Sequence, residues 1–151
     1  MIKIFVTVGT TEFDELIKAV DELKLSEKYK IVAQVSPASK YNAKYINTFE
    51  FVDDIDSYMA SFDLIITHAG AGSVYNLLEK GKRLLVVPNT ERYDKHQIEL
   101  AEYILHNNYA QVCLDINDLS KSIIQVLSET FTPYSKEDFF GENIILDYFK
   151  R

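Results

Sequence analysis

The feature that most constrains this chain is a repeated switch between two kinds of apolar pattern. Short runs that are apolar at most positions alternate with longer stretches whose apolar residues recur at helical spacing. Ile2-Lys-Ile-Phe-Val-Thr-Val8, Lys30-Ile-Val-Ala-Gln-Val35, Thr48-Phe-Glu-Phe-Val52, Leu64-Ile-Ile-Thr67, Arg83-Leu-Leu-Val-Val87 and the segment from Ala110 to Leu114 are the strand candidates. Strands this apolar are covered on both faces, as in a parallel sheet. Phe13, Leu16, Ile17, Val20 and Leu23 form the first helical stripe, with Thr10 or Thr11 as its N-cap. Ile55, Tyr58, Met59 and Phe62 form a short second stripe, and Val74, Leu77 and Leu78 carry a third that stops at Gly81. Further helices are expected from about Asp94 to His106 and from Ile116 to about Ser128. Strand and helix in alternation predict an α/β fold, a Rossmann-like doubly wound parallel sheet.

A length of 151 residues fits one domain, and a hydrophobic content of 47% supports a packed core and excludes disorder. Residues 1–130 carry the α/β pattern, with a polar loop near Tyr41 to Asn47. Beyond the break at Pro133, residues 131–151 form a tail whose amphipathic stretch, Asn143 to Phe149, packs either on the domain or on a partner. The net charge is −7, from 16 basic and 23 acidic side chains, and no Lys/Arg cluster stands out. Neutralising a phosphate backbone needs such a cluster, so nucleic acid is excluded as a partner. Cys113 is the single cysteine and is expected to act as a small apolar residue in a strand. His68, His96 and His106 lack a second ligand at metal spacing, so neither a metal nor a cofactor is expected. Ile2 to Val8 lacks the basic flank of a signal peptide, and no apolar run approaches the ~20 residues of a membrane span. The chain is expected to be cytoplasmic.

In an open α/β sheet, ligands bind beyond the carboxyl ends of the strands. Three loops there have telling compositions. Gly9-Thr10-Thr11 places a glycine and two hydroxyls at a helix start. His68-Ala-Gly-Ala-Gly-Ser73 leaves backbone N–H groups free at a helix N-terminus, which favours an anion and most naturally a diphosphate. The alternative is that these glycines serve only as tight turns, since the string is neither a Walker loop nor G-x-G-x-x-G. Pro88-Asn-Thr-Glu-Arg-Tyr-Asp-Lys-His-Gln97 supplies donors and acceptors suited to sugar hydroxyls, or else is a solvated loop with Asp94 as N-cap.

Val6-Thr-Val-Gly-Thr-Thr11, Phe51-Val-Asp-Asp54, His68-Ala-Gly-Ala-Gly-Ser73, Glu79-Lys-Gly-Lys82, Val86-Val-Pro-Asn89 and Asp94-Lys-His-Gln97 follow one another in this order. The set resembles the family 28-type glycosyltransferases, from Ile2 to about Leu127. It is most similar to their stand-alone C-terminal, donor-binding halves, which include the catalytic subunit of the bipartite dolichol-linked N-acetylglucosamine transferase and bacterial relatives in exopolysaccharide and capsule synthesis. The resemblance implies a single half of a GT-B glycosyltransferase, inverting and metal-independent, that is active with a second chain. This half would hold a UDP-sugar donor. A membrane-anchored partner subunit would supply the other half and a lipid-linked acceptor, keeping this subunit peripheral at the membrane. A homodimer through the vacant cleft face is the alternative assembly.

Carried over residue by residue, the resemblance places Gly9, Thr10 and Thr11 at the cleft, facing the diphosphate or the acceptor. Gly70, Ala71, Gly72 and Ser73 would bind the diphosphate. Asn89, His96 and Gln97 would face the donor sugar, with Gln97 bonding its hydroxyls. The family often has Glu where this chain has Asn76, a position that still faces the nucleotide one helical turn after Ser73. The amide offers one acceptor oxygen, so weaker nucleotide binding is expected. The general base is expected on the partner; His68, beside the glycines, either shapes its loop, touches the phosphate, or is the base candidate within this chain. A non-catalytic nucleotide-sugar-binding or regulatory module of the same fold is the rival reading, and Asn76 is the feature that favours it.

Overall fold

The computed structural model describes residues 1–23, 25, 27–90 and 95–136. Its centre is β1 (Ile2–Thr7), which pairs in parallel with β2 (Tyr29–Gln34) on one side and β4 (Leu64–Thr67) on the other. Adding β3 (Asn47–Phe49), β5 (Leu84–Val86) and β6 (Gln111–Val112) completes a six-stranded parallel sheet of order β3-β2-β1-β4-β5-β6. Both faces are covered, which accounts for the unbroken apolar runs. Ile4, Val6, Val8, Leu64, Ile66 and Leu85 face α1 (Asp14–Glu22) and α5 (Leu119–Ser128). Phe5, Ile65 and Val86 face the opposite layer of α2 (Ile55–Met59), α3 (Ala71–Glu79) and α4 (Lys95–His106). Phe5 centres an aromatic cluster there, its ring 6.0 Å from Phe49, 5.6 Å from Tyr58 and 5.2 Å from Phe62.

Several boundaries differ from the sequence pattern. The third and last strands shrink to Asn47–Phe49 and Gln111–Val112, since each is an edge strand paired on one side only. Neither Thr10 nor Thr11 caps the first helix. Gly9, at φ +60°, turns the chain, and the helix starts later with Phe13 at its N-cap position and no side-chain cap. The expected helix from Ile116 opens as a 3₁₀ turn, Ile116–Asp118, held by the Asp115 carboxylate on the Asn117 N–H, before α5 begins at Leu119. Asp94 and the stretch Asn143 to Phe149 lie outside the described residues. Cys113 is buried, with its thiol donating to the Asp115 carbonyl at 3.0 Å and its pKa pushed up by burial, so it is a packing residue. Among the described residues no helix is long and apolar enough to cross a membrane.

Two connections without regular structure are held by polar anchoring. The β2–β3 crossover holds no helix; its loop is tied to α1 by two carboxylates. Asp14 accepts from the Ser39 hydroxyl and from the N–H groups of Lys40 and Tyr41. Asp21, 1% exposed, accepts from the Tyr41 hydroxyl at 2.8 Å and from the N–H groups of Lys44, Tyr45 and Ile46. Beyond α5, a strap passes beneath the amino ends of β5 and β6. Arg83 donates to the carbonyls of Val126 and Glu129, and its guanidinium lies 5.9 Å over the Phe131 ring. Thr132 N–H donates to the Asn108 carbonyl at 2.8 Å. Phe131 packs on the α1/α5 side and Tyr134 on the α3/α4 side, so the strap crosses from one helical layer to the other.

Burial alone would raise the Asp21 pKa, but the donors around its carboxylate outweigh burial and hold it below the ordinary value. A carboxyl with a depressed folded pKa stabilises the fold above its unfolded pKa of about 4, and that contribution is lost as the pH falls through the folded value. Asp21→Asn removes the charge and should destabilise the chain by about 2 kcal/mol at neutral pH. In melting scans from pH 7 to pH 2, the variant should lack the part of the acid destabilisation that the wild type shows below about pH 4.

Candidate functional site

The strand order reverses between β1 and β4, where successive crossovers leave to opposite sides, and the loops following these two strands face each other across the resulting crevice. The β1 loop is braced from beneath. Thr7 donates its hydroxyl to Gln34 Oε1 at 3.1 Å and accepts the Gly9 N–H at 3.3 Å, while Gln34 Nε2 donates to the Glu50 carbonyl. Ser36, 2% exposed, donates to the Thr10 carbonyl at 3.2 Å and accepts the Ala38 N–H. Gly9 and Thr11 are half-buried and Thr10 is exposed. Gln34 and Ser36 are the residues sequence reasoning missed; a polar side chain at each end of Gln34-Val-Ser36, where an apolar strand closes, was the available signal.

The β4 loop runs from His68 into α3. Gly70 occupies the N-cap position without a side-chain cap, and its carbonyl accepts the Val74 N–H at 3.0 Å. The first turn holds no acidic residue, and Ala71, Gly72 and Ser73 are exposed. The early N–H groups and the partial positive charge of the helix end are therefore open to an anion. A Cβ on Gly72 would meet nothing within 4 Å, so packing within the chain does not require glycine there. Asn76 is exposed one turn further along α3.

His68 joins the two loops. Its ring is 8% exposed and lies against both glycines: a Cβ on Gly70 would fall 2.6 Å from Nε2, and one on Gly9 would fall 3.6 Å from Cε1. Nδ1 is buried without a hydrogen-bond partner, as is the hydroxyl of neighbouring Thr67. Burial pushes the His68 pKa below the ordinary value and the nearby Thr7 carbonyl only partly opposes this, so the ring is neutral at pH 7. His68 is thus the side chain against which both glycine loops pack.

The β5–α4 loop brings Asn89, 3% exposed, over the same end of the sheet. The Asn89 N–H donates to Gln97 Oε1 at 2.9 Å. Gln97, expected to bond sugar hydroxyls, thus has its side-chain oxygen engaged within the protein. His96 is exposed in the first turn of α4, with Nδ1 3.7 Å from Glu99 Oε2. Among the described residues, no group of three or more His, Cys, Asp or Glu side chains is placed to hold a metal ion. A cleft of about 320 Å³ lies at the opposite, amino edge of the sheet, between Arg83, Tyr109 and the strap. The candidate site is the exposed first turn of α3, whose early N–H groups have no side-chain cap.

Gly70→Ala should push the His68 ring aside and destabilise the chain by about 1–3 kcal/mol, as overpacking does. Gly72→Ala, with open space around it, should leave the melting temperature nearly unchanged. Parallel thermal melts check the contrast.

The sequence matches the glycosyltransferase family 28 C-terminal domain over residues 3–140. It is 34% identical to the UDP-N-acetylglucosamine transferase subunit ALG13 of Homo sapiens over 73% of this chain, a segment that spans 11% of the human protein. It is 31% identical to the protein of the same name from Yarrowia lipolytica, over 79% of this chain and 68% of that protein. Among solved structures, the glycotransferase of kitacinnamycin superposes with a TM-score of 0.67 at 16% identity, over 85% of this chain and 35% of that one. The fold is the Rossmann-like α/β domain found in GT-B glycosyltransferases, and the expected doubly wound parallel sheet is the one observed.

Proposed function

Because this chain belongs to the glycosyltransferase family 28 C-terminal domain family, we propose that it is the donor-binding subunit of a two-component glycosyltransferase, moving a sugar from a UDP-sugar to a lipid-linked acceptor. The observation that carries this reading is the uncapped N-terminus of α3 at the switch point, open beside Gly70, Gly72 and Ser73. In glycosyl transfer from a nucleotide diphosphate, negative charge develops on the departing diphosphate. Fixed N–H dipoles aimed at that charge stabilise the transition state without rearranging. The diphosphate is assigned to the N–H groups of Ala71, Gly72 and Ser73 and to the Ser73 hydroxyl, with inversion at the sugar carbon and without a metal. Asn76, one turn on, reaches the ribose.

Both relatives described above are UDP-N-acetylglucosamine transferase subunits, which favours UDP-N-acetylglucosamine as the donor. The exopolysaccharide or capsule setting expected from the sequence gains no support from these relatives, and an acceptor of the lipid-linked oligosaccharide type is preferred. A subunit also needs a companion. A membrane-anchored partner that completes the cleft, brings the acceptor and provides the general base fits a chain that matches one domain of the GT-B pair. Neutral, buried His68 then serves to shape the loop, since its Nδ1 is enclosed and its ring faces the glycines.

Calorimetric titration without added metal tests the reading. UDP and UDP-N-acetylglucosamine should bind in the micromolar-to-millimolar range, and Ser73→Ala should weaken both by about five- to tenfold, the loss of one hydrogen bond to a charged group. Absence of binding both by the isolated chain and by the chain co-expressed with its partner would overturn it. Asn76→Glu restores a two-oxygen acceptor at the ribose and should tighten UDP by about 1 kcal/mol; an unchanged affinity would remove Asn76 from the site.

A further inference from the structure

The β5–α4 loop is short of backbone donors near its start. Val87 N–H donates to the Thr67 carbonyl at 2.8 Å, but Pro88 has no N–H, so the next donor along the chain is Asn89. That donor is met by Gln97 Oε1 at 2.9 Å, between two residues that are 3% and 8% exposed. We propose that Gln97 is a positioning residue: its oxygen fixes the backbone at Asn89 on the sugar side of the crevice, and it acts on the donor through that loop and not through a direct side-chain bond. The inference rests on the donor-binding reading above. A buried N–H left without an acceptor is costly, so removal of the oxygen would let the loop leave its place. The loop is joined to the sheet at β5, whereas the diphosphate groups are on α3, so the two halves of the donor respond separately.

Two substitutions separate the roles. Gln97→Ala removes the acceptor. Gln97→Glu keeps an acceptor oxygen and removes the N–H donors that a direct bond to a sugar would use. Hydrogen exchange at the Asn89 amide, measured without ligand, should accelerate by about tenfold or more in Gln97→Ala and remain near wild type in Gln97→Glu. Unchanged exchange in Gln97→Ala overturns the proposal, and this readout stands even if the chain binds no UDP-sugar. In titrations, Gln97→Ala should weaken UDP-N-acetylglucosamine by about tenfold while UDP stays within about twofold, and Gln97→Glu should recover most of the difference. Equal weakening of UDP and UDP-sugar would mean general loss of structure. Loss of UDP-sugar binding in Gln97→Glu, with Asn89 still protected, would mean a direct amide contact. Either result overturns the positioning role.

Discussion

Everything at the crevice depends on β1 pairing in parallel with two partners at once. Its register sets Thr7 beside both Gln34 and Thr67, so three strands end level and their loops emerge together. Parallel strands require long crossovers, and those from β1 to β2 and from β4 to β5 cover opposite faces of the sheet. The crossovers part at β1 and β4, leaving the ends of these two strands open. The opening is a consequence of topology, and side chains only tune its width.

That tuning is done by polar groups taken out of solvent. His68 packs one ring edge against both glycine loops, Ser36 and Thr7 brace the β1 loop, and Gln97 ties down the backbone at Asn89. Each satisfies or presses on backbone that regular structure leaves over at a strand end. Further from the crevice, the carboxylates of Asp14 and Asp21 do the same for a crossover that has no helix of its own. Buried hydrogen bonds thus take over wherever the apolar pattern stops.

The legibility of the sequence follows this division. Sheet and helical layers could be read because burial on both faces leaves runs such as Leu64-Ile-Ile-Thr67 with no polar alternation. The glycine-serine string stands out in the sequence because its two glycines follow a strand end, and in the structure Ala71, Gly72 and Ser73 are exposed at the start of α3. Edge strands were overextended, since hydrophobicity does not distinguish a residue paired on one side from one paired on two. Thr10 and Thr11 resembled caps, but Gly9 turned the chain before they could act as such. Asp21 does not stand out in the sequence because a carboxylate four residues after Ile17 normally marks the edge of a helical stripe; here it lies within the stripe and accepts backbone bonds from 23 to 25 residues away. The pairing of Gln97 with Asn89 is not legible in the sequence, because side-chain to backbone bonds across a loop leave no periodic trace.

The strap after α5 has a mechanical consequence. Edge strand β6 holds the sheet through two residues, and a pull transmitted directly to it would peel it away one bond at a time. Arg83 and Asn108 intercept such a load first. Arg83, on the threshold of β5, grips the chain through two carbonyls and a ring, and the Asn108 carbonyl holds Thr132. Tension applied at Lys136 would therefore meet the Thr132–Asn108 bond first and the Arg83 contacts next, before it reached the two-residue ladder of β6.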